Sequence, residues 1–224
     1  MNNLIEIKNL SKNYFNQKKV NVLKNLNYKF KSGKIYSLVG PSGSGKSTLL
    51  NILALIDRPS NGKLVIGNHK INFDEGNIND NLRSNKIGII YQEKNLLADF
   101  TALENVSLAG IANGKSSNES LILAEKILKN LKLQKRTNHF PSQMSGGENQ
   151  RIAIGRALIN SPDIIIADEP SGNLDHKNAK EFFKLLFKLK SKKRIIIYAT
   201  HNRYFANLAD CRLQLINGKL KSIN

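Results

Sequence analysis

Gly40-Pro41-Ser42-Gly43-Ser44-Gly45-Lys46-Ser47 fits the pattern G-x-x-x-x-G-K-[ST]. Each residue type in it has a reason. Glycines let backbone N–H groups close around phosphate oxygens, and the helix that follows points its positive dipole end at them. Lys46 is placed to reach the β- and γ-phosphates and Ser47 to ligate Mg²⁺; Thr48 continues the same turn. A second group, Asp168-Glu169, ends the apolar run Ile164-Ile165-Ile166-Ala167. A carboxylate at the end of a buried strand sits where α/β sheets bind ligands. Asp168 is the candidate to hold the metal through water, and Glu169 the candidate general base for water attacking a γ-phosphate. Acidic residues also suit helix N-caps, which is the plainer reading of the pair. A third group, Ser145-Gly146-Gly147-Glu148, opens another helix and is another potential phosphate cradle, or simply an N-cap. Two cradles and one base suggest that the second serves a nucleotide held by another copy of the chain.

These residues need particular elements beneath them. Leu4–Ile7 and Val22–Phe30 alternate apolar and polar, as half-buried antiparallel strands do. Ser32-Gly33 is a turn, and 34–39 is a buried strand leading into Gly40, with a helix over 47–53. Ser60-Asn61-Gly62-Lys63 carries a hairpin signal ahead of Leu64-Val65-Ile66. Further on, 100–107 and 119–133 have helical spacing. Leu121, Ala124, Leu128 and Leu131 share one face opposite Lys126, Lys129 and Lys132, and 113–118 is a loop between the two helices. The segment from about 95 to 150 therefore reads as a small helical lobe. A helix over 149–159, a strand at 163–167, a helix over 179–190 and a strand at 194–199 follow. Buried strands alternating with helices imply a parallel sheet covered on both faces.

With 224 residues and 40% apolar content, one domain spanning 1–224 can bury a real core. No run is long enough to span a bilayer, and Met1 to Glu6 lacks the pattern of a secretory signal. The single cysteine, Cys211, excludes an internal disulfide or a Cys-rich zinc site. These features point to the cytoplasmic side of a membrane. The net charge of +18 favours anionic partners. Yet the basic residues are scattered, as in Lys18-Lys19, Lys135-Arg136 and Lys192-Lys193-Arg194, and Lys, Asn and Ile are all abundant. That is a compositional signature rather than a nucleic-acid face, so no nucleic-acid partner is expected.

The order of these groups resembles that of the ATP-binding cassette (ABC) ATPases over essentially the whole chain. The resemblance implies an α/β fold: a P-loop NTPase (RecA-like) core, an N-terminal antiparallel β subdomain and an inserted α-helical lobe. It makes Tyr14 the aromatic that stacks on adenine and Gln92 the glutamine that touches Mg²⁺ and the attacking water. It makes His201 the switch histidine that contacts the γ-phosphate. Met144 to Glu148 resembles the signature, with Ser145 and Gly147 facing the nucleotide of a second copy, and Ser171-Gly172-Asn173-Leu174-Asp175 is the D-loop. Three positions depart from the pattern: Met144 for Leu, Glu148 for Gln, and Asn202 where Asp usually follows the histidine. The last leaves the electrostatics beside the switch open.

Ser171 to Asp175 resembles the S/T-G-N-L-D of the lipoprotein-releasing, macrolide-export and cell-division branch. The run Leu96-Leu97-Ala98-Asp99-Phe100-Thr101-Ala102-Leu103-Glu104-Asn105-Val106 is most similar to the lipoprotein-releasing type. The implied protein is an ATP- and Mg²⁺-dependent ATPase, peripheral on the cytoplasmic side of the inner membrane. It would dimerise head to tail and energise a separate membrane permease. That permease would dock around Gln92 to Glu104, with Leu96, Leu97, Phe100 and Leu103 partly exposed. The alternative is the ATPase of a macrolide or peptide exporter or of a cell-division complex. A small GTPase is disfavoured because Asn85-Lys86 runs into Ile87-Gly88 with no Asp to read guanine. The repair and translation ABC ATPases are disfavoured because the chain has one cassette and no heptads.

Overall fold

The computed structural model describes residues 4–16, 18–92 and 95–223. β1 (Leu4–Asn16) and β2 (Lys18–Lys31) form a long antiparallel ladder, with Ile5 opposite Phe30 and Ile7 opposite Tyr28. After β3 (Ile35–Val39) the chain enters α1 (Lys46–Leu53), then β4 (Asn61–Ile66), β5 (His69–Lys70), α2 (Gly76–Lys86) and β6 (Ile87–Ile90). Helices α3 (Ala102–Ile111), α4 (Ser117–Asn130) and α5 (Gly146–Leu158) follow. The chain closes with β7 (Ile164–Asp168), α6 (His176–Lys188), β8 (Ile195–Ala199), the single turn α7 (Arg203–Ala206), β9 (Cys211–Ile216) and β10 (Lys219–Ile223).

The strands make two sheets. One is antiparallel, ordered β2-β1-β4-β5; the other is ordered β10-β9-β3-β8-β7-β6 and is parallel except for β10. Strand alternation divides the core. Ile164, Ile166, Ile195 and Ile197 face α1 and the antiparallel sheet. Ile165, Ala167, Ile196 and Tyr198 face α5 and α6 through Ile154, Ala157, Phe182, Phe183 and Leu186. Both faces are covered, which is why β7 and β8 contain no polar alternation. A third cluster joins Ala102 and Val106 of α3 to Ala124 and Leu128 of α4, with Met144, Ile152 and Ile159. Helix α5 therefore belongs to two cores at once.

Helix starts follow local chemistry. Thr101 and Glu104 form a reciprocal capping box for α3, and Ser116 and Asp175 cap α4 and α6. These caps move several expected boundaries. Helix α4 begins at Ser117, inside the expected loop, α5 begins at Gly146 rather than Asn149, and α6 covers His176–Lys188. Ser60 to Lys63 is not a hairpin turn: Asn61 and Gly62 lie within β4, which pairs with β1. The β1–β4 register slips between Lys8 and Ser11, and a Cβ on Gly62 would lie 2.5 Å from Asn9 O. The glycine admits a bulge rather than turning the chain. α2, β5, β9 and β10 lie where the sequence carried no assigned pattern.

Candidate active site

β3 delivers the chain into Gly40, and α1 starts at Lys46 after a left-handed Gly45 at φ +98°. A side chain at Gly45 would meet Val22 Cγ1 at 2.8 Å. One at Gly40 would strike Leu215 O and lie 2.8 Å from Ser44 Oγ. The loop is thus held between β2 and β9, and its glycines are required by close approach as well as by conformation. Ser44 N donates to Pro41 O at 3.2 Å, closing the turn. Lys46 folds back across the loop, its Nζ donating to Gly40 O at 2.9 Å and Pro41 O at 3.1 Å.

A cavity of about 540 Å³ opens over this loop. Its lining includes Ser42, Gly43, Ser47 and Thr48 with Gln92, Glu169 and His201. Glu169 follows β7 in a left-handed conformation, φ +42°, which few non-glycine residues adopt. Its N–H donates to Ala199 O at 3.2 Å, tying it to the end of β8. Its Oε2 accepts from His201 N at 3.2 Å and lies 3.0 Å from His201 Nδ1. Glu169 is mostly buried while the His201 side chain is 74% exposed, so the carboxylate is fixed and the imidazole reaches out over the cavity. Gln92 lies against the loop after Glu169: a Cβ on Gly172 would be 2.7 Å from its Nε2. Asp168 ends β7, and its Oδ1 is buried without a hydrogen-bond partner. An unmatched buried carboxylate oxygen on the residue before Glu169 suits a hard divalent cation, although Asp168 itself is not in the lining of the cavity that holds Ser47 and Gln92.

Tyr14 is not in the lining of this cavity. It stands beside it on β1, its hydroxyl donating to Asp57 Oδ2 at 2.8 Å and interacting with Thr48. Burial, together with Asp57, holds the Tyr14 phenol above its ordinary range. Ser145 and Gly147 also lie outside the cavity, at the start of α5. There Ser145 Oγ accepts from Glu148 N at 3.3 Å while Glu148 Oε2 accepts from Ser145 N at 2.9 Å. That box, with Arg136 at 3.1 Å, holds the Glu148 carboxyl below the usual range. Glu148 is therefore a capping residue with a cationic partner. Asn202 likewise does a cap's work, its Oδ1 accepting from Tyr204 N and Phe205 N at 2.9 and 3.4 Å. Sequence reading missed Val22, which lines the cavity and touches Gly45, and Asp57, which anchors Tyr14. The one available signal for Val22 was its place on the strand beside the loop.

A parallel sheet whose central strand feeds a phosphate-type loop, extended by an antiparallel sheet and a set of helices, defines a P-loop nucleoside-triphosphatase core. Residues 23–172 match the family described as ABC transporter, and the chain belongs to that family. It is 42% identical to a protein of Rickettsia bellii named lipoprotein-releasing system ATP-binding protein LolD, over 98% of each chain. It is 43% identical to the protein of that name from Wigglesworthia glossinidia brevipalpis, over 100% of each. Among solved structures it is similar to the ATP-binding cassette MJ0796, described as a dimeric post-hydrolysis state bound to ADP and Pi. The TM-score is 0.88 at 37% identity, covering 98% of this chain and 99% of that one.

Proposed function

We propose that this chain is the ATP-hydrolysing subunit of an ABC transporter that releases lipoproteins from the inner membrane. The observation that carries the chemistry is the single cavity joining Lys46 and Ser47 to Gln92, Glu169 and His201. End-to-end similarity to proteins named for lipoprotein release supports the cargo. In this reading, loop N–H groups and Lys46 bind the triphosphate, and Lys46 exchanges its two carbonyl acceptors for phosphate oxygens. Glu169 accepts a proton as water attacks the γ-phosphorus and the bond to ADP breaks. His201 orients toward the γ-phosphate from its contact with Glu169. Ser47, Gln92 and Asp168 are the residues that would hold Mg²⁺, whose charge offsets that of the phosphates. Among the described residues no three His, Cys, Asp or Glu side chains group as a metal cage. The ion would therefore take its remaining ligands from the nucleotide and water.

No helix among the described residues is long and apolar enough to cross a membrane; in this reading the permease is a separate chain, met from the cytoplasmic side. We assign 95–150 as the lobe that meets it. Leu97 and Phe100 are exposed there, whereas Leu96 and Leu103 pack against the third cluster. Glu93 and Lys94, within the expected docking stretch, lie outside the described residues. Depletion of the protein in its own cells tests the cargo: lipoproteins should accumulate at the inner membrane. Normal lipoprotein sorting after depletion would overturn the reading in favour of macrolide export or cell division.

A further inference from the structure

Lys12 is a charged residue placed indoors, only 8% exposed. The β1–β2 register shifts on both sides of it, between Leu10 and Lys12 and between Lys12 and Asn13. Such irregularities re-aim a side chain, here away from solvent. Its Nζ donates to Asp57 Oδ1 at 2.6 Å and Arg58 O at 2.7 Å, and stands 4.7 Å over the centroid of the Tyr14 ring. Asp57 Oδ2 accepts the Tyr14 hydroxyl at 2.8 Å, while Oδ1 also accepts the Arg58 N–H at 2.7 Å. Although burial raises the Asp57 carboxyl, these donors together hold it below its ordinary range. Asp57 lies just beyond α1, its N–H donating to Asn51 O at 3.2 Å. Tyr14 is therefore fastened to the helix that carries the phosphate loop, through Thr48 near one end and Asp57 at the other.

We propose that Lys12 is a positioning residue for a purine nucleotide: with Asp57 it turns Tyr14 into a one-faced stacking platform of fixed height above the phosphate loop. The cation covers one face of the ring and draws on its π density. The opposite face, on a residue 42% exposed, then meets an electron-rich base with less repulsion. This inference rests on the reading of Tyr14 as the base-stacking aromatic. The competing account is that Lys12 and Asp57 merely staple the antiparallel sheet to α1.

Calorimetric binding of ATP and of inorganic tripolyphosphate separates the two, because only ATP carries a base. Lys12→Met should weaken ATP binding on the order of tenfold while leaving tripolyphosphate binding unchanged. Lys12→Arg should restore most of the ATP affinity. In steady state, KM for ATP should rise with kcat altered less than about twofold. If Lys12→Met fails to fold around an unpaired Asp57, the Lys12→Met/Asp57→Asn pair removes both charges and should show the same selective loss. Equal weakening of both ligands, or unchanged ATP affinity, would overturn the proposal. Tyr14→Ala measured alongside tells the failures apart. If it leaves ATP affinity unchanged, the platform itself is wrong; if it weakens ATP where Lys12→Met does not, only the role of Lys12 is.

Discussion

Glu169 reaches the cavity through a left-handed backbone conformation that costs on the order of 1 kcal/mol or more in a non-glycine residue. The surroundings hold it there: its N–H is bonded to the end of β8, its carbonyl accepts from Gly172 N at 2.9 Å, and its carboxylate takes the His201 N–H. Strain retained at this position is consistent with a base aimed at one point. Glu169→Gln keeps the shape and these contacts but cannot take up a proton. Hydrolysis should fall on the order of 10²-fold or more while ATP binding persists, so phosphate release and nucleotide binding measured together check the assignment. Wild-type turnover by this variant would remove the base from the mechanism. Much of this residue scale was legible from the sequence, because the spacing from a buried strand to Asp168-Glu169 is local. The pairing of Glu169 with His201 was not, since it depends on β7 and β8 lying side by side.

Helix α5 is the element on which the two halves of the molecule lean. It packs on β6, carries Ser145 at its start, and shares residues with both the second and the third core clusters. Its approach to the sheet is set by Gly88. A Cβ there would collide with Ala157 O and lie 2.9 Å from Pro162 Cγ, backbone and ring atoms that cannot swing aside. Gly88→Ala should therefore destabilise the fold by about 2 kcal/mol, as overpacking does, and lower Tm by about 5 °C. Thermal unfolding followed by circular dichroism measures it, and an unchanged Tm would show that α5 has slack. The start of α5 also touches α6: a Cβ on Gly147 would lie 2.8 Å from Asn178 Oδ1, and Asn178 N donates to Asp175 at 2.9 Å. The segment after Glu169 and the second glycine-rich helix start are thus mechanically joined.

At the scale of the whole molecule, the cavity that holds Lys46 is lined by neither Ser145 nor Gly147. We infer that a site using all of them draws on two copies, each giving its α5 start to the other's phosphate loop. Lys46→Ala damages the loop of its own copy, and Ser145→Arg blocks the cradle offered to the partner. A mixed dimer of the two variants carries both lesions in one site and neither in the other. With independent sites it should hydrolyse ATP at about half the wild-type rate per dimer, while each variant homodimer is nearly inactive. Full activity of the Ser145→Arg homodimer would exclude the shared site.

What the sequence determined by itself is whatever a short stretch of chain encodes. The glycine spacing and Lys46 mark the loop, the period of two gives the half-buried antiparallel strands, short apolar runs give the buried parallel ones, and the 3.6-residue period gives α4 and α6. These signals are local because steric and hydrogen-bonding preferences act over one or two turns. Tertiary structure decided which distant strands adjoin. It put β9 beside β3, where Leu215 walls Gly40, set Gly62 in a strand opposite a bulge of β1 rather than in a turn, and folded Gln92 against Gly172. It also buried Lys12 beneath Tyr14 in reach of Asp57, a residue whose place in the sequence announces nothing. Such pairings are fixed by the burial and charge balance of the complete chain, which no local window contains.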